Sequence, residues 1–157
     1  MTEGSLITDK LRALIGVPWE SVVFKVEEGA IQRYARAIGD PNPLFNDAHY
    51  VRGTKHGRLL APPGFAGWPV HEARTKEKLF ETLIKAGGPP RILDAGVELE
   101  FLEAVGAGDV LTATLRIAGI TERETRLGAT MFTTAETMYV NERGEVALKS
   151  RSTLMQF

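Results

Sequence analysis

The second half of the chain, where one short pattern recurs, constrains the fold more than any other feature. Val97, Leu99 and Phe101 alternate with Glu98 and Glu100, and Leu111, Ala113, Leu115 and Ile117 alternate with Thr112, Thr114 and Arg116. Residues 127–140 are rich in threonine, methionine, aromatic and β-branched side chains, and Asn141-Glu142-Arg143-Gly144 supplies a turn into a last segment over 145–156. Successive side chains of a strand point to opposite faces, so a period of two gives each segment one apolar and one polar face. Long strands of this kind, joined by tight connections, predict an antiparallel meander. A sheet with one apolar face has to be covered by a helix or a second sheet.

The first half supplies the cover. Leu6, Ile7, Leu11, Leu14 and Ile15 predict a short amphipathic helix, ended by Gly16 and Pro18. Residues 20–26 alternate as a first strand. Ile31, Tyr34, Ala35 and Ile38 recur at i, i+3, i+4 and i+7, with Gly39 at the C-terminal cap, and predict a helix. Residues 39–64 are turn-rich. A helical stretch is expected to start near Pro63 or Gly64 and to carry Phe65, Trp68, Leu79, Phe80, Leu83 and Ile84, although Gly67 and Pro69 interrupt it. Gly87-Gly88-Pro89-Pro90 closes it. The expectation is one α+β domain over 1–157, with 1–15 as an N-terminal helical extension and the sheet wrapped around one helix. Phe65, Trp68, Phe80 and Phe101 are assigned to its core, because a small domain needs aromatic filling.

Composition narrows the function classes. The net charge is -1 and the pI about 6.3, which gives no electrostatic case for nucleic acid. No cysteine is present, so disulfides and thiolate chemistry are excluded. No apolar run has membrane-spanning length, and residues 1–5 lack the basic and apolar regions of a secretion signal, so a cytoplasmic location and no membrane partner are expected. Neither a metal-ligand spacing, a phosphate-cradling glycine loop nor a Ser-His-Asp set is visible.

The chemistry concentrates in Ala37-Ile38-Gly39-Asp40-Pro41-Asn42-Pro43-Leu44-Phe45. Two prolines fix φ on either side of Asn42 and present Asp40 and Asn42 on a rigid turn. Taken locally, that turn is an Asx-turn, a cap for a helix starting near Asn46 or Asp47, or a functional site. The segment resembles the motif of MaoC-like (R)-specific hydratases and dehydratases of enoyl or 3-hydroxyacyl thioesters, Gly-Asp-x-Asn-Pro-aliphatic-His. Gly39, Asp40, Asn42, Pro43 and Leu44 match it, whereas Phe45 stands where the family places its catalytic histidine. Ala61-Pro62-Pro63-Gly64-Phe65 resembles the start of the central helix in the FAS1-like dehydratase (dehydratase N-terminal) subfamily. The run from Thr121 through Leu127-Gly128, Phe132-Thr133, Glu136, Tyr139, Asn141 and Gly144-Glu145 resembles its last hairpin. The resemblance covers roughly residues 15–157 and implies a hot-dog fold.

It also implies where the reaction is incomplete. Adding water to an enoyl thioester needs a base for water, an acid for the α-carbon and donors for the thioester oxygen. In active relatives an aspartate and a histidine share the water, and a backbone N–H at the start of the central helix polarises the carbonyl. Phe45 moves no proton. Pro63, aligned with the donor position, has no N–H, although Gly64 could replace it if the turn shifts by one residue. Asp40 and Asn42 are thus catalytic candidates. His49 is a candidate substitute, one helical turn beyond Phe45. Phe45, Gly64, Phe65, Arg52, Lys55 and Arg58 are candidates for substrate binding, the basic ones (with His56 in the same loop) toward a CoA phosphate or simply solvent. A helix-borne Glu72 is the candidate for thioesterase chemistry.

Four functions follow: a tunnel-forming hydratase or dehydratase subunit beside a catalytic partner, a self-sufficient hydratase using Asp40, a non-catalytic acyl-thioester-binding protein, or a thioesterase. No cofactor is expected beyond the CoA or acyl-carrier thioester substrate. A homodimer or a heterodimer with a second MaoC-like chain is expected, since long apolar strands make an unpaired edge unfavourable.

Overall fold

A computed structural model describes residues 4–19, 21–65 and 69–157, and within them no side chain of 69–74. Helix α1 is Asp9–Arg12, strand β1 Val22–Lys25, and helices α2, α3 and α4 are Glu28–Ala37, Pro43–Asn46 and Ala48–Arg52. Helix α5 is Pro69–Lys85, followed by strands β2 Ile92–Phe101, β3 Val110–Thr125, β4 Gly128–Asn141 and β5 Val146–Gln156. The strands form one antiparallel sheet in the order β1-β3-β4-β5-β2, which puts β1 and β2 on the edges. The predicted α+β architecture and the late meander are both present.

The hairpins are built by the expected turn chemistry. β3 and β4 pair out to Thr125 and Gly128, leaving Arg126 and Leu127 as the loop. The Asn141 side-chain oxygen accepts from the backbone N–H groups of Arg143 and Glu145, and closes the β4–β5 turn. Several expected boundaries move. The N-terminal helix shrinks to the four residues of α1, capped by Thr8. The first strand is Val22–Lys25 rather than 20–26, and Glu20 lies outside the described residues. Pro63 and Gly64 lie in a turn rather than at a helix start, and the long helix is described from Pro69 onward. Its end is a glycine cap: Gly87 has φ +98° and donates to Ile84 O, while Gly88 donates to Leu83 O. A Cβ on Gly88 would meet Leu83 O at 2.9 Å and Met131 Cε at 3.0 Å, so helix and sheet meet there too closely for any side chain.

The inner face of the sheet carries two separate apolar clusters. In one, Leu79 and Leu83 of α5, Ala86 just after it and Leu11 of α1 pack with Leu115, Ile117, Met131, Ala135 and Leu154 of the strands. In the other, Ile31 and Ala35 of α2, Phe45, Val51, Leu59 and Phe65 pack with Phe24, Leu111, Tyr139 and Leu148. Burying each such aliphatic side chain is worth about 1.5–3 kcal/mol. Phe65 is buried as expected and Phe80 is partly buried, but Phe101 is 39% exposed. Alternation assigned Phe101 its face correctly; it is bare because β2 is an edge. Trp68 lies outside the described residues.

The outer face is polar and crossed by an ion-pair ladder. Arg116, Glu136, Arg151 and Glu98 are neighbours across β3, β4, β5 and β2, and Glu136 accepts from both arginines. Hydrogen bonds from Arg151 and then Arg116 hold the Glu136 carboxyl below its ordinary value of 4.5. A lowered folded-state pKa adds stability that is complete above the ordinary value and is lost as pH falls through the folded one. Thermal melts from neutral pH down through the carboxylate range should therefore show Glu136→Gln less stable than the parent above pH 4.5 and converging with it in acid. Added salt should narrow the gap.

Candidate functional site

The Asp40 segment is a locked turn. Gly39, at φ +70°, lets the chain leave α2, and the N–H of Asp40 donates back to Ala35 O at 2.9 Å. Asp40 Oδ1 accepts from the N–H of Asn42 at 2.9 Å, and Asn42 Oδ1 accepts from that of Leu44 at 3.0 Å, capping α3. Asn46 Nδ2 donates to the carbonyls of Asp40 and Asn42. The Asx-turn that local chemistry allows is formed, but the cap serves a helix that starts at Pro43 rather than near Asn46 or Asp47, and Asp40 Oδ2 keeps no partner among the described residues. Asp40 is half-buried.

Phe45 is 8% exposed and belongs to the apolar cluster with Ile31, Val51, Leu59 and Phe65. His49 is exposed and sits on a different helix. Between them Asp47, at φ -117° and ψ 99°, breaks the chain and caps α4 by accepting from the N–H groups of His49 and Tyr50. The single helix assumed for Phe45 and His49 is therefore two, and the two side chains face different surroundings. An aspartate able to cap its own downstream helix is the signal that separates them.

The remaining candidates are dispersed. Gly64, at φ +93°, lies in a turn in which the Phe65 N–H donates to Pro62 O. The Phe65 ring packs on Tyr34 with centroids 5.1 Å apart. Pro63 lies in that same turn, and residues 66–68, between it and the described part of α5, lie outside the described residues. Arg58 forms a two-pronged ion pair with Asp109, whose Oδ2 also accepts from the N–H of Gly106 at 2.9 Å. It ties the loop before α5 to the start of β3. Arg52 and Lys55 are exposed and have no carboxylate partner among the described residues, and His56 is half-buried. The side chains of His71 and Glu72 lie outside the described residues.

A concavity between helix and sheet lies elsewhere. A cavity of about 480 Å³ lies between the front half of α5 (Thr75, Lys76, Lys78, Leu79) and the inner face of all five strands. Its floor follows the sheet register. One row runs Val22, Ala113, Tyr139, the next Leu115, Thr137, Ser150, and the third ends Ser152, Val97. The cavity thus separates the two apolar clusters and reaches both edge strands. At its rim Lys78 lies over the Trp19 ring, 5.7 Å from the centroid, and Lys76 pairs with Asp94. None of the candidates named from the motif lines it. Thr137, Ser150 and Ser152 went unnoticed in the sequence, although they share the parity of Ala135, Tyr139, Leu148 and Leu154 and so had to face inward. Among the described residues no group of three or more His, Asp or Glu side chains is arranged to hold a metal, and no helix is long and apolar enough to cross a membrane.

Comparison with known proteins gives a consistent family. The model of the FAS1-like, dehydratase domain region matches residues 13–150. A UPF0336 protein of Leifsonia xyli is 30% identical over 132 residues, covering 84% of this chain and 85% of that protein. The probable enoyl-CoA hydratase alpha subunit of Thermomonospora curvata is also 30% identical, over 139 residues and 81% of this chain; the chain spans 43% of that relative's length. Among solved structures, the truncated HadBC (3R-hydroxyacyl-ACP dehydratase) complex of Mycobacterium tuberculosis superposes with a TM-score of 0.71 at 22% identity, over 90% of this chain and 96% of that one. The MaoC-like dehydratase of Rhodospirillum rubrum has a TM-score of 0.59 at 26% identity, over 91% and 92%. With its five-stranded antiparallel sheet and covering helix, the chain belongs to the FAS1-like dehydratase-region family of MaoC-like hot-dog proteins.

Proposed function

We propose that the chain is the tunnel-forming subunit of an acyl-thioester hydratase or dehydratase, and that a second MaoC-like chain supplies the complete Asp–His pair. The observation that carries this reading is Phe45. The residue at the motif's histidine position is a core side chain, packed in an apolar cluster where it can neither donate nor accept a proton. Asp40 spends one carboxylate oxygen on its own turn, and no histidine stands beside it in the motif. Two further observations support a partner. Strand β2 is a long edge strand with Leu93, Val97 and Phe101 exposed, the kind of edge that other chains pair with. The T. curvata relative is named an alpha subunit, and HadBC is a complex.

The test is an enoyl-CoA hydration assay on the purified chain and on the chain co-expressed with a MaoC-like protein carrying the intact motif. Turnover confined to the co-purified pair is the expected result. Turnover by the chain alone, lost in Asp40→Asn, would establish a self-sufficient hydratase instead. The cavity also supports a second reading, a non-catalytic acyl-thioester-binding protein, because its volume and its largely apolar walls suit a small-molecule site. Acyl-CoA retained on purification with no turnover in any pairing would favour it.

A further inference from the structure

The floor of the 480 Å³ cavity has a chemistry that a plain hydrocarbon tail does not need. On β3, β4 and β5 the inward positions are mostly apolar: Leu111, Ala113, Leu115 and Ile117, then Met131, Ala135 and Tyr139, then Leu148 and Leu154. Five inward positions of β4 and β5 break the rule, Thr133, Thr137, Ser150, Ser152 and Gln156, and three of them, Thr137, Ser150 and Ser152, line the cavity. Thr137 and Ser150 face each other across β4 and β5, and Ser152 is the next inward residue along β5. Ser150 is 8% exposed. None of the three hydroxyls has a hydrogen-bond partner among the described residues. One inward step beyond them on β4 from Ala135, the Thr133 hydroxyl is fully buried and unpaired as well.

Small side chains alone would explain the space. They would not explain the oxygens, since alanine leaves as much room without a polar group to satisfy. A hydroxyl covered by hydrocarbon is penalised, whereas one that meets a ligand oxygen regains the hydrogen bond it gave up to water. The volume is within the usual range for a small-molecule site, and apolar walls with a few convergent polar groups are how such sites fix orientation. We propose that this cavity holds an acyl tail carrying an oxygen substituent, a hydroxyl or keto group on a carbon beyond C3, received mid-cavity by Thr137, Ser150 and Ser152. The inference rests on the reading of the chain as an acyl-thioester-handling subunit, and it adds the class of tail. Leu115, Leu79 and Val97 contact the hydrocarbon on either side of that oxygen.

Calorimetric titration of the full chain with decanoic acid, and with decanoic acids bearing one hydroxyl at successive carbons beyond C3, reads the preference directly. At least one hydroxy acid should bind about tenfold more tightly than decanoic acid, the gain of one to two hydrogen bonds. The pair Ser150→Ala with Ser152→Ala should bring that ratio near one, with decanoic acid binding retained or tightened as the hydroxyls it would cover are removed; the isosteric Thr137→Val should lower the ratio in the same direction. A ratio near one in the parent, or one that survives all three substitutions, overturns the oxygen-bearing tail while leaving the acyl reading intact. Absence of binding by every acid overturns both. A preserved preference together with an inert co-expressed pair keeps the tail class and removes the catalytic partner.

Discussion

Phe45→His, the substitution that restores the family motif letter for letter, is expected to yield a less stable chain that still hydrates nothing alone. Removing the ring altogether sets the scale: Phe45→Ala in a packed cluster should cost about 3–5 kcal/mol. An imidazole refills part of the space but brings two polar ring nitrogens among the apolar side chains of Ile31, Val51, Leu59 and Phe65. Phe45→His should therefore fall between the parent and Phe45→Ala, and the neutral imidazole should be favoured, since burial disfavours its charged form. Urea unfolding midpoints order the three proteins, and the hydration assay reads activity. A Phe45→His chain as stable as its parent and catalytically competent would show that only one side chain is missing from a site otherwise intact.

In the co-expressed pair, the two chains should respond to substitution very unequally. Alanine in place of the partner's motif histidine is expected to lower kcat by a factor on the order of 10²–10⁴, the usual loss for one positioned acid or base. Asp40→Asn in this chain should leave kcat within about twofold. The exchange is close to isosteric, and the Asn side-chain oxygen can still accept from the N–H of residue 42, so the turn is retained. Stability should scarcely change. A large loss of kcat in Asp40→Asn, with an unaltered melting curve, would move the chemistry back onto this chain.

Much of this was legible in the residues. The alternation over 97–156 places β3, β4 and β5 and the face each residue takes, because a strand's period is set by the backbone and not by context. The Asp40 turn was legible because proline and glycine restrict φ locally. What depends on neighbours was not. Alternation could not say whether Phe101 is covered, since that depends on which strand is the edge. The turn at Pro63-Gly64 was misread as a helix start because a proline suits either, and only tertiary packing chooses. The helix break at Asp47 hid behind a run with good spacing. Thr137, Ser150 and Ser152 had the right parity, but their polarity pointed to solvent, and only the closing helix turns that face into a cavity wall.

The division of the interior has a consequence for how the molecule comes apart. Two apolar clusters share a sheet, and among the described residues a cavity lies between the cluster of the α2–α4 layer and that of α5. Such layers are natural candidates for independent opening, with local free energies well below that of global unfolding. A tail lying in the cavity would act as a keystone, touching both layers at once. Amide exchange in α2 and around Phe45 should then slow when a fatty acid binds, even though no residue there touches it, and the two layers should begin to open as one unit.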